Sequence, residues 1–432
     1  MSTDNKKWFS FVVGFGILLP MFFTLSGGLY RNTEIIIDSG GVIATLPLPI
    51  SILTCVIALV ILFGRLPEAK AGWALVIGTV AVLLISLWLG SDGVTPHGRK
   101  LVMIAQVGLP LMGLILGQLM PGDGKPVALA YLTVLTLVIP LQLYFSPSNS
   151  PWDLSSFDLS VLRYEDFIAD NLRLFTIYGH IQYVSLIFVC AYGFALSALW
   201  GKYKVWLVAV SILLIFYVLR SFSFLTTVAY SMLIVLFVVW QLSRLRVKVR
   251  LFFLAAVVFF VVLLGWDAYR VVAQQKNGLV INSASIAYQK FRPILDGKIP
   301  GNIQERFGDW ELFGKRIIET PKTILVGHPE PMPREIRTSP HNWYIDIAHT
   351  FGLIGLLPIL VLIGYTAHMC WRHRSSVSPQ TWWLAGIVFY LVIVDSNFKV
   401  TLRQPYPGIV TFFMWGLLLS RLSAAAADKR GV

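Results

Sequence analysis

His341 opens the segment Pro340-His341-Asn342-Trp343-Tyr344-Ile345-Asp346, directly ahead of an apolar run that contains Gly352-Leu353-Ile354-Gly355. A neutral imidazole near pH 7 can take a proton from a hydroxyl, so this position suits a general base. A lone histidine at the mouth of a helix can equally be no more than a polar helix end. Arg220 stands between two apolar runs in Tyr217-Val218-Leu219-Arg220-Ser221-Phe222-Ser223. A cation at that depth is costly unless it is paired or lines a wet cavity, which makes it a functional candidate; snorkelling to headgroups is the alternative. Arg306, in Glu305-Arg306-Phe307-Gly308-Asp309-Trp310, falls on the polar side of an amphipathic stretch, where solvated charges are ordinary. Arg163, Arg173 and Arg292 read as loop cations. Together these arginines outline an anion site, because guanidinium stays charged and grips phosphate oxygens in a fork, which suits pyrophosphate without a metal.

Other chemistries lack their residues. The sequence has no HExxH, no GxxxxGK[ST] phosphate loop and no GxSxG nucleophile elbow. His180, His349, His368 and His373 show no metal-ligand spacing with carboxylate support, so neither a metal nor a cofactor is expected. Cys55, Cys190 and Cys370 form no disulfide framework. Asp395, near Lys399 at the end of a late apolar run, reads as half of a salt-bridged pair.

The elements that must position these residues are membrane helices. Hydrophobic residues make up 56% of the 432 positions and charged residues 13%, roughly half the charge of a soluble domain. Apolar runs long enough to cross a bilayer recur near 8–28, 42–63, 72–90, 101–119, 126–146, 176–200, 204–219, 224–241, 251–266, 347–369, 381–396 and 406–422. The first lacks a small-residue cleavage site and reads as a retained helix. About twelve spans put both termini on one side. If that side is the cytoplasm, its loops hold sixteen cations against four acids, leaving nineteen and eighteen for the rest of the chain. The net charge of +13 is thereby a topology signal and not a nucleic-acid footprint. The expected organisation is nine helices over 1–266 with a smaller outer loop near 147–175, a large outer loop over 267–346, and three helices with a cytoplasmic tail over 347–432. In the large loop, Asn302 and Glu305 have capping-box spacing, Ile303, Phe307, Trp310, Ile317 and Ile318 fall near one face, and Pro321 ends the helix.

This arrangement resembles the O-antigen ligase family, in the wider group that also holds O-antigen polymerases and pilin oligosaccharyltransferases. The resemblance rests on the late large loop, on Arg306-x-x-x-Trp310 running into Pro321 and Gly327, and on His341-Asn342 ahead of Gly352-Leu353-Ile354-Gly355. It covers residues 176–360 well and is only topological before that. At 220–223 the chain has Arg-Ser-Phe-Ser where the group more often has Ser-Arg-Gly. The resemblance implies an all-α polytopic fold of the C-type glycosyltransferase kind in the bacterial inner membrane, with loop helices capping a lipid-open cavity on the periplasmic side. It implies transfer of a glycan from undecaprenyl pyrophosphate to the lipid A-core oligosaccharide, inverting and metal-independent, by a monomer whose only partners are its two lipid-linked substrates and membrane lipids. His341 would be the general base. Arg220 and Arg306, with Arg163 and Arg292, would hold the pyrophosphate, and Asn342, Tyr344, Trp310 and His180 would support them. The alternatives are a polymerase using the same donor, or a polysaccharide flippase, which would be expected to show repeated halves or helices broken at the midplane.

Overall fold

The computed structural model describes residues 3–26, 45–90, 98–120, 124–145, 181–221, 223–243, 297, 301–328, 332 and 339–428. These residues are overwhelmingly helical. In chain order the helices are α1 (Thr3–Leu18), α2 (Ile50–Ile61), α3 (Lys70–Gly90), α4 (Gly98–Leu119), α5 (Lys125–Phe145), α6 (Ile181–Leu199), α7 (Lys204–Ser221) and α8 (Phe224–Leu242). Then come α9 (Gly301–Ile317), α10 (Pro321–Val326), α11 (Trp343–Arg372), α12 (Pro379–Phe389) and α13 (Pro405–Asp428). A helix overlaps every expected span except 251–266, which lies outside the described residues. The expected outer loop at 147–175 lies outside them too, as does most of 267–300.

Among the described residues, four helices are long and apolar enough to cross a membrane: α3, α5, α11 and α13. The outward faces of α11 and α3 are apolar as well. Leu353, Leu357, Leu360, Val361 and Tyr365 are exposed along α11, and Ile77, Leu84, Ile85 and Trp88 along α3. Apolar surface on this scale is not left in water, so the chain is a helical membrane protein.

The first two spans are shorter than the hydropathy pattern predicts. Helix α1 stops at Leu18, ahead of Pro20, and strands β1 (Phe22–Ser26) and β2 (Thr45–Pro49) form an antiparallel ribbon before α2 begins. Two prolines are accommodated in β2 by its register. The Ile50 N–H bonds the Met21 carbonyl (2.9 Å), and with Phe22 opposite Pro49 this register puts Pro47 and Pro49 where no N–H has to point at β1.

The chain forms two compact units. The first comprises Met1–Val138, Cys190–Leu207 and Asn302–Val432; the second comprises Ile139–Val189 and Val208–Gly301. In the first, α4 and α13 cross with their backbones nearly touching. A Cβ on Gly113 would lie 2.5 Å from the Ile409 carbonyl oxygen, one on Gly117 2.2 Å from that of Phe413, and one on Gly416 2.2 Å from that of Leu114. Small residues four apart allow this approach, and packing in place of hydrophobic expulsion then holds the helices together in lipid. Trp415 reinforces the crossing by donating its indole N–H to Thr366 of α11 (2.9 Å), and Gln118 accepts from the Gly72 N–H of α3 (3.0 Å). In the second unit, the Ser185 and Thr226 hydroxyls pair at 3.3 Å and those of Ser211 and Tyr230 at 2.6 Å, with Phe188 against Tyr217.

Candidate active site

Arg306 and Trp310 ride on α9, and the face they share is the one turned inward. Asp309 and Phe313 are buried there, while Phe307 and Ile318 are exposed. The apolar face expected for this helix is therefore wrong in part, and Arg306 is not on a solvated side. Its Nη1 donates to the Phe398 carbonyl (2.8 Å), and the Trp310 ring lies 5.9 Å from the Phe398 ring. The inward face mixes Arg306 and Asp309 with Trp310 and Phe313, and Phe398 meets both kinds, its carbonyl taking Arg306 and its ring Trp310. Asn302 lies in the first turn of α9 and not at its cap. The capping box falls at the next helix instead. Thr320 accepts from the Thr323 N–H (3.1 Å), Thr323 accepts from the Thr320 N–H (3.0 Å), and Pro321 starts α10 besides closing off α9.

Helix α10 then runs into the middle of α11. Gly327 and Gly352 both have positive φ (80° and 69°). A Cβ on Gly352 would sit 2.1 Å from the Leu325 carbonyl oxygen, and one on Gly327 2.4 Å from that of Thr350. The Ser86 hydroxyl is shared between the Val326 and Phe351 carbonyls (2.7 and 2.9 Å), and the His328 N–H bonds the His349 carbonyl (2.7 Å). Glycine is needed at 352 for both the φ and the contact. Its consequence is that α11 is broken there, so its first turns, which follow His341, form a short piece with its own direction.

That short piece is fixed from its N-terminus. His341 has φ 50°, uncommon outside glycine, and its N–H bonds the Ser339 hydroxyl (3.2 Å). Asn342 is the N-cap: its Oδ1 accepts from the N–H groups of Tyr344 (2.9 Å) and Ile345 (3.1 Å), and its Nδ2 donates to Asn397 Oδ1 (3.1 Å). The Tyr344 hydroxyl donates to the Val392 carbonyl (2.7 Å).

Both Asn342 and Tyr344 thus hold on to the stretch after α12, and that stretch can accept them because it is irregular. Tyr390–Val394 is a π turn, Asp395–Asn397 and Thr401–Arg403 are 3-10 turns, and such turns leave carbonyls without the usual helical partner. Side chains fill the gaps: Ser396 donates to the Leu391 carbonyl (2.8 Å) and Asn397 to that of Ile393 (2.6 Å). Irregular backbone among apolar helices is tolerated where it is satisfied internally or lines a polar cavity.

Charges gather on the same stretch. Lys399 is 3.6 Å from Asp395, both buried, as the sequence predicts, and the Thr401 hydroxyl also donates to Asp395. Arg403 Nη1 reaches Asp346 Oδ2 at 2.6 Å. Three cations (Arg306, Lys399, Arg403), three carboxylates (Asp309, Asp346, Asp395) and a half-buried imidazole are therefore carried by segments bonded to one another, within the first unit. Such a cluster can bind an anion and move a proton.

The structure thus brings His341, Asn342, Tyr344, Arg306 and Trp310 to one locus, with Gly327 and Gly352 as its joints. Arg220 lies in the last turn of α7, in the second unit, with the next helix beginning at Phe224 after almost no loop. Arg163, Arg292 and His180 lie outside the described residues. Sequence reasoning missed Asp346 and Arg403 as a pair, although Asp346 stands one turn inside the cap motif. It also missed that the His328 ring stacks on His349 (5.4 Å), with His328 Nε2 2.9 Å from Glu319. Among the described residues no group of three or more His, Cys, Asp or Glu is arranged to hold a metal ion.

Fold and site together define a helical membrane protein with a cluster of charged side chains of both signs built on a broken helix. No family model matches the chain, and no curated protein matches it.

Proposed function

We propose that this protein is an O-antigen ligase: a twelve-span inner-membrane glycosyltransferase, termini in the cytoplasm, that moves a glycan from undecaprenyl pyrophosphate to a hydroxyl of the lipid A-core on the periplasmic face. The observation that carries the reading is that Arg306 and the His341-Asn342 cap are both tied to residues 397–398, through the Phe398 carbonyl and the Asn397 side chain. These are the two motifs on which the resemblance to the ligase family rests.

The chemistry follows from the residues. The acceptor oxygen attacks the anomeric carbon as its proton passes to the His341 imidazole. The bond from that carbon to the pyrophosphate oxygen breaks, and the electron pair leaves with the pyrophosphate. A single displacement inverts the anomeric configuration. The charge that develops on the leaving group is stabilised by preplaced cations, Arg306 foremost, in surroundings poor in water. Arg220, Arg163 and Arg292 belong to the donor grip on their sequence positions alone. The periplasm holds no ATP or nucleotide sugar, so a donor carrying its own leaving group fits the compartment.

The test is lipopolysaccharide banding in a deletion strain that carries wild type or His341→Ala at equal membrane levels. A ligase leaves bare core and accumulates glycan on undecaprenyl pyrophosphate when deleted, and only wild type restores the ladder. The variant should lose about 10²- to 10⁴-fold in transfer, the usual contribution of a general base. Full activity of His341→Ala would end the proposal, and core bearing a single repeat after deletion would make the protein the polymerase.

A further inference from the structure

We propose that Asp346, clamped by Arg403, is a positioning residue that holds the His341 imidazole in its working orientation. This rests on His341 being the base of the proposed transfer. The geometry comes from the helix start. With Asn342 as N-cap, His341 is the residue just before the cap and Asp346 the fourth residue after it. Side chains at these two positions lie against one another across the first turn of a helix; with apolar residues the contact is the hydrophobic staple. Here the pair is an imidazole and a carboxylate.

Three further features make the arrangement more than a helix end. The Asp346 N–H bonds the Asn342 carbonyl (3.0 Å), so the turn that carries the carboxylate is closed. Asp346 is buried, with 5% of its surface exposed, while His341 is only half-buried and so reachable by a substrate. A buried carboxylate needs a partner of permanent charge, and Arg403 supplies it at 2.6 Å from the turn just ahead of α13. A carboxylate oriented in this way can accept from one imidazole N–H and leave the other nitrogen to face the acceptor hydroxyl, the division of labour by which a base is kept in one tautomer.

Other charged or titratable groups lie on the segments packed about this turn, among them Asp309, buried on α9. Arg306 bonds the Phe398 carbonyl, Lys399 and Asp395 pair with each other, and Tyr344 bonds the Val392 carbonyl. His349, further along α11, lies against His328 and Phe313. Asp346 is the acid on the same turn as His341.

The experiment uses the full chain in lipid nanodiscs, with undecaprenyl-pyrophosphate glycan as donor and core lipid A as acceptor. Two variants are compared with wild type: Asp346→Asn, and Asp346→Asn with Arg403→Gln, which leaves no unpaired charge if the single variant fails to accumulate. We expect kcat to fall about 10- to 100-fold with the donor KM unchanged, less than removal of the base itself costs. The acid limb of the pH–rate profile should move to lower pH by about one unit, because a nearby carboxylate favours the imidazolium and its loss lets the ring deprotonate earlier. The His341 ring, followed by NMR in histidine-labelled protein, should titrate lower by the same amount. A folded variant with an unmoved acid limb and an unmoved ring titration overturns the proposal and leaves Asp346–Arg403 a structural ion pair. Because the ring titration does not need turnover, it separates this failure from that of the transfer reading, which an active His341→Ala would sink.

Discussion

Two regions of the first unit use the same tools to opposite ends. Where α4 meets α13, Gly113, Gly117 and Gly416 let two regular helices approach until backbone meets backbone, and the surroundings are apolar side chains buried in mutual contact. Where α10 meets α11, Gly327 and Gly352 also let backbones touch, but at positive φ, so regularity is broken and not preserved. The first contact locks a frame. The second frees carbonyls that polar groups must then satisfy: the Ser86 hydroxyl serves those of Val326 and Phe351, and the His328 N–H that of His349. The difference teaches that close glycine packing does not by itself mark a site; what marks it is glycine together with a broken helix and buried charge.

The comparison breaks most visibly at the frame. In Gly117→Leu the new side chain begins 2.2 Å from the Phe413 carbonyl oxygen, which cannot move without α13. Overpacking of this kind costs about 3 kcal/mol, the upper end of its usual range. Membrane levels and the denaturation midpoint in detergent should drop, while transfer per folded molecule stays near wild type. If transfer per folded molecule falls instead, the frame and the site are not separable.

Gly352→Ala should do the reverse. A φ of 69° with ψ of −174° is essentially reserved for glycine and costs any other residue about 1–3 kcal/mol, and the new methyl would also meet the Leu325 carbonyl, so stability should fall as well. Straightening or shifting the break would re-aim the turns that follow His341, and misplacement of a catalytic group by about 1 Å can cost about 10²-fold in rate. Transfer per folded molecule is therefore expected to fall at least tenfold. Normal transfer in that variant would show that the break in α11 only fills space.

Much of the frame is legible in the sequence, because long apolar runs ended by charge, Pro or Gly leave little choice, and α3 to α8 begin and end within a few residues of the expected spans. The ribbon was not legible. Hydropathy counts Phe22–Ser26 and Thr45–Pro49 as membrane helix, and only the spacing of Pro47 and Pro49 hints otherwise. The inward face of α9 was hidden for a related reason. Apolar periodicity finds the buried side of a helix when that side is apolar, and here it carries Arg306 and Asp309 beside Trp310 and Phe313. His341, Arg306 and their motifs could be picked out by residue type. The pair Asp346–Arg403 could not, since 57 residues separate its members and nothing local announces that one will meet the other.

The smallest effect sharpens the contrast from inside the site. Tyr344→Phe removes one hydroxyl and keeps the ring, so the Val392 carbonyl loses its donor while the packing against Trp343 is unchanged in kind. A single hydrogen bond of this sort is worth about 1 kcal/mol. At the frame a loss of that size would pass as a slightly lower denaturation midpoint. At the site the lost bond is one of two that join the start of α11 to residues 392–397, the other being Asn342 to Asn397, so the turn should gain freedom without unfolding. The measurement is kcat against midpoint for Tyr344→Phe alone and combined with Asn342→Asp, which keeps the cap acceptor but gives up the amide donor. If the two bonds act as one clamp, the pair of changes should lower kcat by more than the product of the single effects while the midpoints add. Independent effects on kcat would mean that the irregular stretch holds α11 in some other way, and that the distinction between frame and site lies in Gly352 alone.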